Sequence, residues 1–365
     1  MKKYKIYFLY LLLLFFISLP SLSQIKEEVR KIDISSKLVL VGERHNVKSN
    51  MVFQLSLIEH LVKTNNLKYI VLEHSYSGAF LYNKFLETGD TSLICNDFYF
   101  NSSKERRKFW NNLYEFNNSI NGKLYLIGLD YDRSYPFVKT LNIILSEIGS
   151  DDVQLKSILE DTNLFLESIN DPEKTDLELF KSIKNSFNHY FENHTQVFLQ
   201  NSLGLYFTDL YLIYNNQHFS ERDRNTNKNW AENMNSIIKE EKLNTTDSSF
   251  LGIFGSAHIA ANKHSFANIY YHEEGGIFEK DVNTIIMHYS NIYENESISI
   301  ENQGIESINK RLLKDLNPYI DRENNFGTIE VSKLNPKPRK NEKHFKYVFL
   351  VKNQFLAKKN KFICQ

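Results

Sequence analysis

The feature that most constrains the fold of this chain is a set of five short apolar runs with helical patterns between them. They are Leu38–Val41, Tyr69–Leu72, Leu124–Leu129, Phe250–Phe254 and Thr284–Met287. Runs this short, apolar on both faces, have the pattern of strands buried on both sides in a parallel sheet. Between the first two, "MVFQLSLIEHLVKTNN" places apolar residues at helical spacing from Met51 to Val62, so strand, helix and strand form a βαβ unit. The expected fold class is α/β, a mostly parallel sheet covered by helices on both faces. From about residue 151 to 242 the strand signal disappears. The stretches "DVQLKSILEDTNLFLESI", "LFKSIKNSFNHYF" and "NWAENMNSIIKEE" predict a helical insertion whose last helix leads back to the strand at Phe250. The Asp171-Pro172 step reads as a turn with proline at a helix start. After Asn291 the sequence turns polar, "NPKPRK" reads as a linker, and a closing strand is expected over residues 346–353.

The first 23 residues are not expected to belong to the fold. Lys2, Lys3 and Lys5 precede an apolar run from Ile6 to Leu19, and "SLPSLSQ" follows. A basic start, a short apolar stretch and a small-residue exit describe a secretory signal peptide, with cleavage near Ser23/Gln24. An uncleaved anchor is the alternative, but the run is short against the roughly 20 residues a spanning helix needs. The expectation is an exported, periplasmic or extracellular protein with no stable membrane insertion after cleavage. Residues 24–365 then form a single α/β domain with the insertion at 151–242. Without the three leading lysines, 41 basic residues face 44 acidic ones, which tells against a nucleic-acid partner. Cys95 and Cys364 are the two cysteines, and an oxidising compartment would permit their pairing. No Cys-x-x-Cys is present, which excludes thiolate zinc and thioredoxin-like sites. Oligomeric state has no signal here.

Ionisable residues collect where the apolar runs end. Glu43 and His45 follow the first, Glu73 and His74 the second, Asp130 the third and His258 the fourth. In a parallel sheet these ends share one edge, and ligands of open α/β sheets bind outside the carboxyl ends of strands. Each residue also has a local explanation. Glu43 could cap the next helix or pair with Arg44, and His45 could be a turn histidine. Asp130 could cap the helix after Ser134. Glu73, at the end of an apolar strand, needs a partner if buried. Arg222 and Arg224 open a further charged segment, "SERDRNTNKNWAENM". Either arginine could meet an oxyanion or a carboxylate.

An ordered series of segments resembles the erythromycin esterase family, within a broader superfamily marked by a Gly-Glu-x-His loop. The segments are "LVGERHN", "YIVLEHSYSGAFLYNKFLETGD", "FWNNLYEFNNSINGKLYLIGLDYD", "RDRNTNKNWAENMNSII", "FGSAHIAANKH" and "FKYVFLVKN". They span about residues 36–290 plus the end. The chain departs from the family pattern twice. Only Arg44 separates Glu43 from His45, and Gly255 stands where a first closing histidine would be. The resemblance implies hydrolysis of a small-molecule ester or lactone without a cofactor. His45 would act as general base on water, Glu43 and Glu73 would orient it, and His258 and Arg222 would bind the developing oxyanion. His74, Asp130 and Arg224 would contact substrate. There is no Gly-x-Ser-x-Gly elbow for a serine nucleophile.

Two other readings stay open at this point. One is a metal-dependent hydrolase or peptidase with Glu43, His45, Glu73 and His258 on a divalent ion. The other is a haem- or iron-binding surface protein, as relatives in the superfamily permit.

Overall fold

In a computed structural model, the structure describes residues 23–168, 177–217, 226–259, 264–272, 277–278, 280–294, 297–303, 318–319, 324–334 and 345–358. In chain order the elements are β1 (Leu38–Glu43), α1 (Lys48–Thr64), β2 (Leu67–Ser75), α2 (Tyr76–Thr88), α3 (Phe98–Asn101), α4 (Lys104–Ser119), β3 (Tyr125–Asp130) and α5 (Ser134–Ile148). The insertion follows as α6 (Val153–Ser168), α7 (Leu177–Asn193), α8 (Gln196–Leu203), α9 (Phe207–Asn216) and α10 (Thr226–Glu240). Then come β4 (Ser249–Gly255), α11 (Ser256–Ile259), α12 (Phe266–His272), β5 (Val282–Glu294), β6 (Ser297–Gln303), β7 (Phe326–Glu330) and β8 (Phe345–Lys352). The chain divides into two compact units. One comprises residues through Lys68, Ser103–Phe116 and Thr245–Asn360; the other is built from Tyr69–Ser102 and Asn117–Asn244.

Among the described residues the first unit holds six strands, five of them in the order β4-β1-β5-β8-β7. β4, β1, β5 and β8 run parallel, and β7 closes the edge antiparallel to β8. β6 pairs antiparallel with the far end of β5. All six residues of β1 are buried, as expected of a strand covered on both faces. The register shows what covers each face. Gly42, Ile286 and Val348 are aligned and share one face. A Cβ on Gly42 would come within 2.8 Å of Ile286 Cδ1 and 3.2 Å of Ile259 Cβ, so the absence of a side chain lets α11 lie against β1. The next residues along, Met287 and Phe349, face the other way. There the Phe53 ring of α1 meets Phe349 with centroids 4.3 Å apart. Helices therefore cover both faces, and the α/β class is the observed one.

The second unit contains the parallel pair β2–β3, with Tyr69 opposite Tyr125 and Leu72 opposite Gly128. The register then slips, so that Ser75 rather than His74 faces Asp130. The extra residue is a β-bulge at Glu73–His74, a device that re-aims side chains at the end of a strand. Ser75 goes on to cap α2, its Oγ accepting from the Gly78 amide at 3.1 Å. The insertion is helical throughout its described residues and packs through aromatic rings. Phe137 of α5 meets Phe180 and Phe187 of α7, and Phe191 stacks on Tyr214 of α9 at 4.9 Å.

Several sequence expectations change here. β6 and β7 fall in the polar region after Asn291, where only the closing strand was expected. Asp130 does not cap α5: Arg133 holds the N-cap position and makes no side-chain cap bond. Cys95 is disulfide-bonded, while Cys364, the other cysteine of the chain, lies outside the described residues. The signal segment up to residue 22, the Asp171-Pro172 turn and the "NPKPRK" linker are also outside the described residues. Among the described residues, no helix is long and apolar enough to cross a membrane.

Candidate functional site

At the carboxyl end of β1, Glu43 is 3% exposed, a burial that a carboxylate tolerates only with partners. It has two. Gln54 Nε2, from the inward face of α1, donates to Glu43 Oε2 at 2.5 Å. Glu43 Oε1 lies 3.2 Å from His45 Nδ1. The His45 side chain is 48% exposed. The arrangement is a buried carboxylate beneath a solvent-facing imidazole. If Nδ1 carries the proton toward Glu43, Nε2 is the ring nitrogen left as the acceptor.

The peptide between these two side chains is held from below. The Arg44 amide donates to Tyr289 Oη at 3.1 Å, and Asn50 Nδ2 donates to the Arg44 carbonyl at 2.7 Å. Tyr289 Oη in turn donates to Asn50 Oδ1 at 3.1 Å. Burial, then the negative charge of Glu43, pushes the Tyr289 hydroxyl well above its ordinary range, which keeps it a donor. Asn46 takes a left-handed backbone with φ 68°, which asparagine tolerates better than most residues. The same loop is fastened from above by the segment after β8. The Ala357 amide donates to the Asn46 carbonyl at 2.6 Å, the Lys48 amide to the Phe355 carbonyl at 3.0 Å, and Val47 bridges Leu356.

β1 and β4 end in register, Glu43 opposite Gly255, and His258 follows three residues later on α11. Glu43, His45 and His258 thus share the carboxyl end of the first unit's parallel strands. His258 is half-buried and rides on the helix that packs over Gly42.

In the second unit, Glu73, His74 and Asp130 lie at the corresponding ends of β2 and β3. His74 is 2% exposed and turned inward. Its Nδ1 accepts from the Ser75 amide at 2.8 Å, and its Nε2 lies 3.3 Å from Asp97 Oδ2. Its ring stacks on Tyr99 at 4.6 Å and leaves no space for a Cβ on Gly78. Burial acts to raise the Asp97 carboxyl. The His74 ring, the Tyr82 hydroxyl and the Tyr99 amide outweigh it and hold the group below the usual carboxylate range. The expected substrate contact through His74 therefore meets a ring enclosed by protein, and its surroundings suit a structural pair.

Asp130 accepts from Trp230 Nε1 at 3.4 Å, and its carboxyl is raised by burial, with the like charge of Glu73 adding and Arg133 opposing. Beside it, Asp132 accepts from the Ser77 hydroxyl, from Asn216 Nδ2 at 3.1 Å and from Gln217 Nε2 at 2.9 Å. Burial still pushes its carboxyl up. Arg222 and Arg224 lie outside the described residues. Among the described residues, no three or more His, Cys, Asp or Glu side chains are grouped to hold a metal ion.

Sequence reasoning did not find Gln54, Asn50 or Tyr289. Asn50 and Gln54 sit four residues apart on the face of α1 that otherwise buries Phe53, Leu57, Ile58 and Leu61. Two amides one turn apart on a buried apolar stripe were the available signal.

The sequence matches no protein-family model and no curated protein. Among solved structures it is similar to a Bacillus cereus protein, 12% identical, with a TM-score of 0.56 over 93% of this chain and 99% of that one. It is also similar to a succinoglycan biosynthesis protein, 11% identical, TM-score 0.51, over 92% and 98% of the two chains. A third is a histidine-to-asparagine mutant of the erythromycin esterase EreC in its open conformation: 12% identical, TM-score 0.52, over 90% and 92%. The chain shares their fold. The resemblance read from its motifs holds at that level.

Proposed function

We propose that this protein is a hydrolase of esters or lactones in which His45 activates water. The observation that carries the reading is the Glu43–His45 pair, a carboxylate buried to 3% and 3.2 Å from the ring nitrogen of an exposed histidine. Such a carboxylate fixes the tautomer and orientation of the ring and stabilises the imidazolium formed when water is deprotonated. Gln54 holds the second carboxylate oxygen, so the pair is positioned before substrate arrives. His258, at the end of the adjacent strand, is the candidate donor to the carbonyl oxygen as it becomes negative. The roles expected of Glu73, Asp130, Arg222 and Arg224 rest on the sequence resemblance, and the proposal does not use them. The fold shared with an erythromycin esterase supports the reaction class, and the basic-then-apolar start of the chain supports export.

A panel of ester and lactone substrates tests the proposal on wild type and His45→Gln, each with and without chelator. Turnover should fall by about 10²–10⁴ in the variant and be insensitive to chelation. Equal turnover by both proteins would remove His45 as the base. Loss of wild-type activity on chelation would favour the metal-dependent alternative.

A further inference from the structure

The outward face of α1 belongs to a second concavity that does not include His45. A cavity of about 510 Å³ opens there, within the roughly 300–1,000 Å³ range of small-molecule sites. Its apolar wall is made by Met51, Val52 and Leu55 of α1 with Phe109 of α4 and Phe326 of β7. Val52 and Leu55 are only half-buried, although α1 turns its other face into the core. Three lysines stand in its lining, Lys26, Lys48 and Lys108, against one carboxylate, Glu105. Lys48 is 3.8 Å from Glu105, and Lys26 is 3.6 Å from Glu59. Both separations are too long for close hydrogen-bonded pairs, so these ammonium groups keep donors for another anion.

Two further observations point to a ligand. Ser49, 5% exposed and part of the same lining, has a buried hydroxyl with no hydrogen-bond partner among the described residues. A buried hydroxyl without a partner is costly, and this one belongs to a residue of the cavity lining. A second hollow of about 290 Å³ shares Lys26 and Ser56 with the first and adds Val29, Arg30, Glu59, His60 and Lys63, so its lining holds three cations against one carboxylate. The larger cavity is thus a groove with an apolar wall and a lysine rim, and the smaller hollow lies beside it.

We propose that this groove binds an amphipathic monoanion, a free fatty-acyl carboxylate. Its chain lies against Met51, Leu55, Phe109 and Phe326, and its carboxylate meets the lysines. The charge complementarity fixes the head, and the apolar wall fixes the tail. The proposal stands independently of the hydrolase reading.

The probe is dodecanoate, titrated calorimetrically into the full chain, with dodecanol as the uncharged control and phosphatidylglycerol vesicles as the membrane arm. Wild type should bind one dodecanoate per chain, and dodecanol at least about tenfold more weakly. Leu55→Glu places a charge in the apolar wall, and Lys26→Glu with Lys108→Glu reverses the rim. Each should weaken dodecanoate at least about tenfold. Lys26 and Lys108 are exposed, so the rim variant keeps the test decisive if Leu55→Glu fails to fold. His45→Gln should bind dodecanoate as wild type does, which separates this site from the catalytic reading. The proposal is overturned by the absence of binding up to about 1 mM, by equal affinity for dodecanol, or by binding that the rim variant retains. Capture by vesicles without binding of free dodecanoate would overturn it in favour of a membrane-facing surface.

Discussion

Replacing Asp209 by asparagine should raise the stability of the protein relative to wild type as pH rises from acid to neutral. Tyr76 Oη lies 2.8 Å from Asp209 Oδ1 and 2.6 Å from Glu241 Oε1. One hydroxyl proton cannot serve two ionised carboxylates at once. Burial, with the Glu241 charge adding and the Tyr76 hydroxyl and Lys84 opposing, raises the Asp209 carboxyl from 3.8 to about 6. The folded protein therefore binds this proton more tightly than the unfolded chain does. The stabilisation is fully present below about pH 4 and is lost as pH rises through about 6. A shift of about two pH units, at about 1.4 kcal/mol each, makes that loss about 3 kcal/mol. Asp209→Asn does not titrate and does not suffer it. The stability of the variant relative to wild type should therefore rise by about 3 kcal/mol between pH 4 and pH 7.5. Urea unfolding of both proteins at a series of pH values reads this difference directly. Its offset depends on the hydrogen bonds that the amide remakes, but its slope depends on the Asp209 proton. A difference that is flat, or that falls with pH, would refute the reasoning.

Two further outcomes follow from the packing. Gln54→Ala removes the amide from a buried carboxylate and should cost about 1–3 kcal/mol in urea unfolding. In esterase assays it should also lower kcat, because the Glu43–His45 pair loses its anchor; unchanged kcat would detach Gln54 from the site. Gly78→Ala drives a methyl into the His74 ring and should destabilise by about 1–3 kcal/mol, measured as a lowered Tm. Gly78→Ala combined with His74→Ala should recover part of that loss.

The sequence made the strands legible where they are buried on both faces. β1, β4 and the core of β5 appear as unbroken apolar runs. The far half of β5, "HYSNIYE", mixes polar and apolar residues, and beyond Ser290 it pairs with the edge strand β6 and no longer with β8. β6, "SISIENQ", and β7, "FGTIE", escape notice for the same reason: short edge strands need little apolar sequence. Within the site, Glu43 and His45 announced themselves by following an apolar run. Gln54, Asn50 and Tyr289 did not, since each sits in an element whose other residues explain the burial. His74 shows the converse case. Its position at a strand end suggested ligand contact, yet the bulge at Glu73–His74 directs its ring into a pocket of Asp97, Tyr82 and Tyr99. The Tyr76–Asp209–Glu241 cluster joins residues 133 and 165 positions apart, a separation across which no local pattern operates.

The backbone bonds from Phe355 and Ala357 to the loop at Asn46–Lys48 have a consequence for biogenesis. The loop that carries His45 is translated well before the strap that fastens it, because Asn46–Lys48 precede Phe355–Ala357 by most of the sequence. A nascent chain can pair β1 with β4 and β5 and bury Glu43 long before Asn46 finds its partner. The His45 loop is therefore fastened only after residues 355–357 have been made.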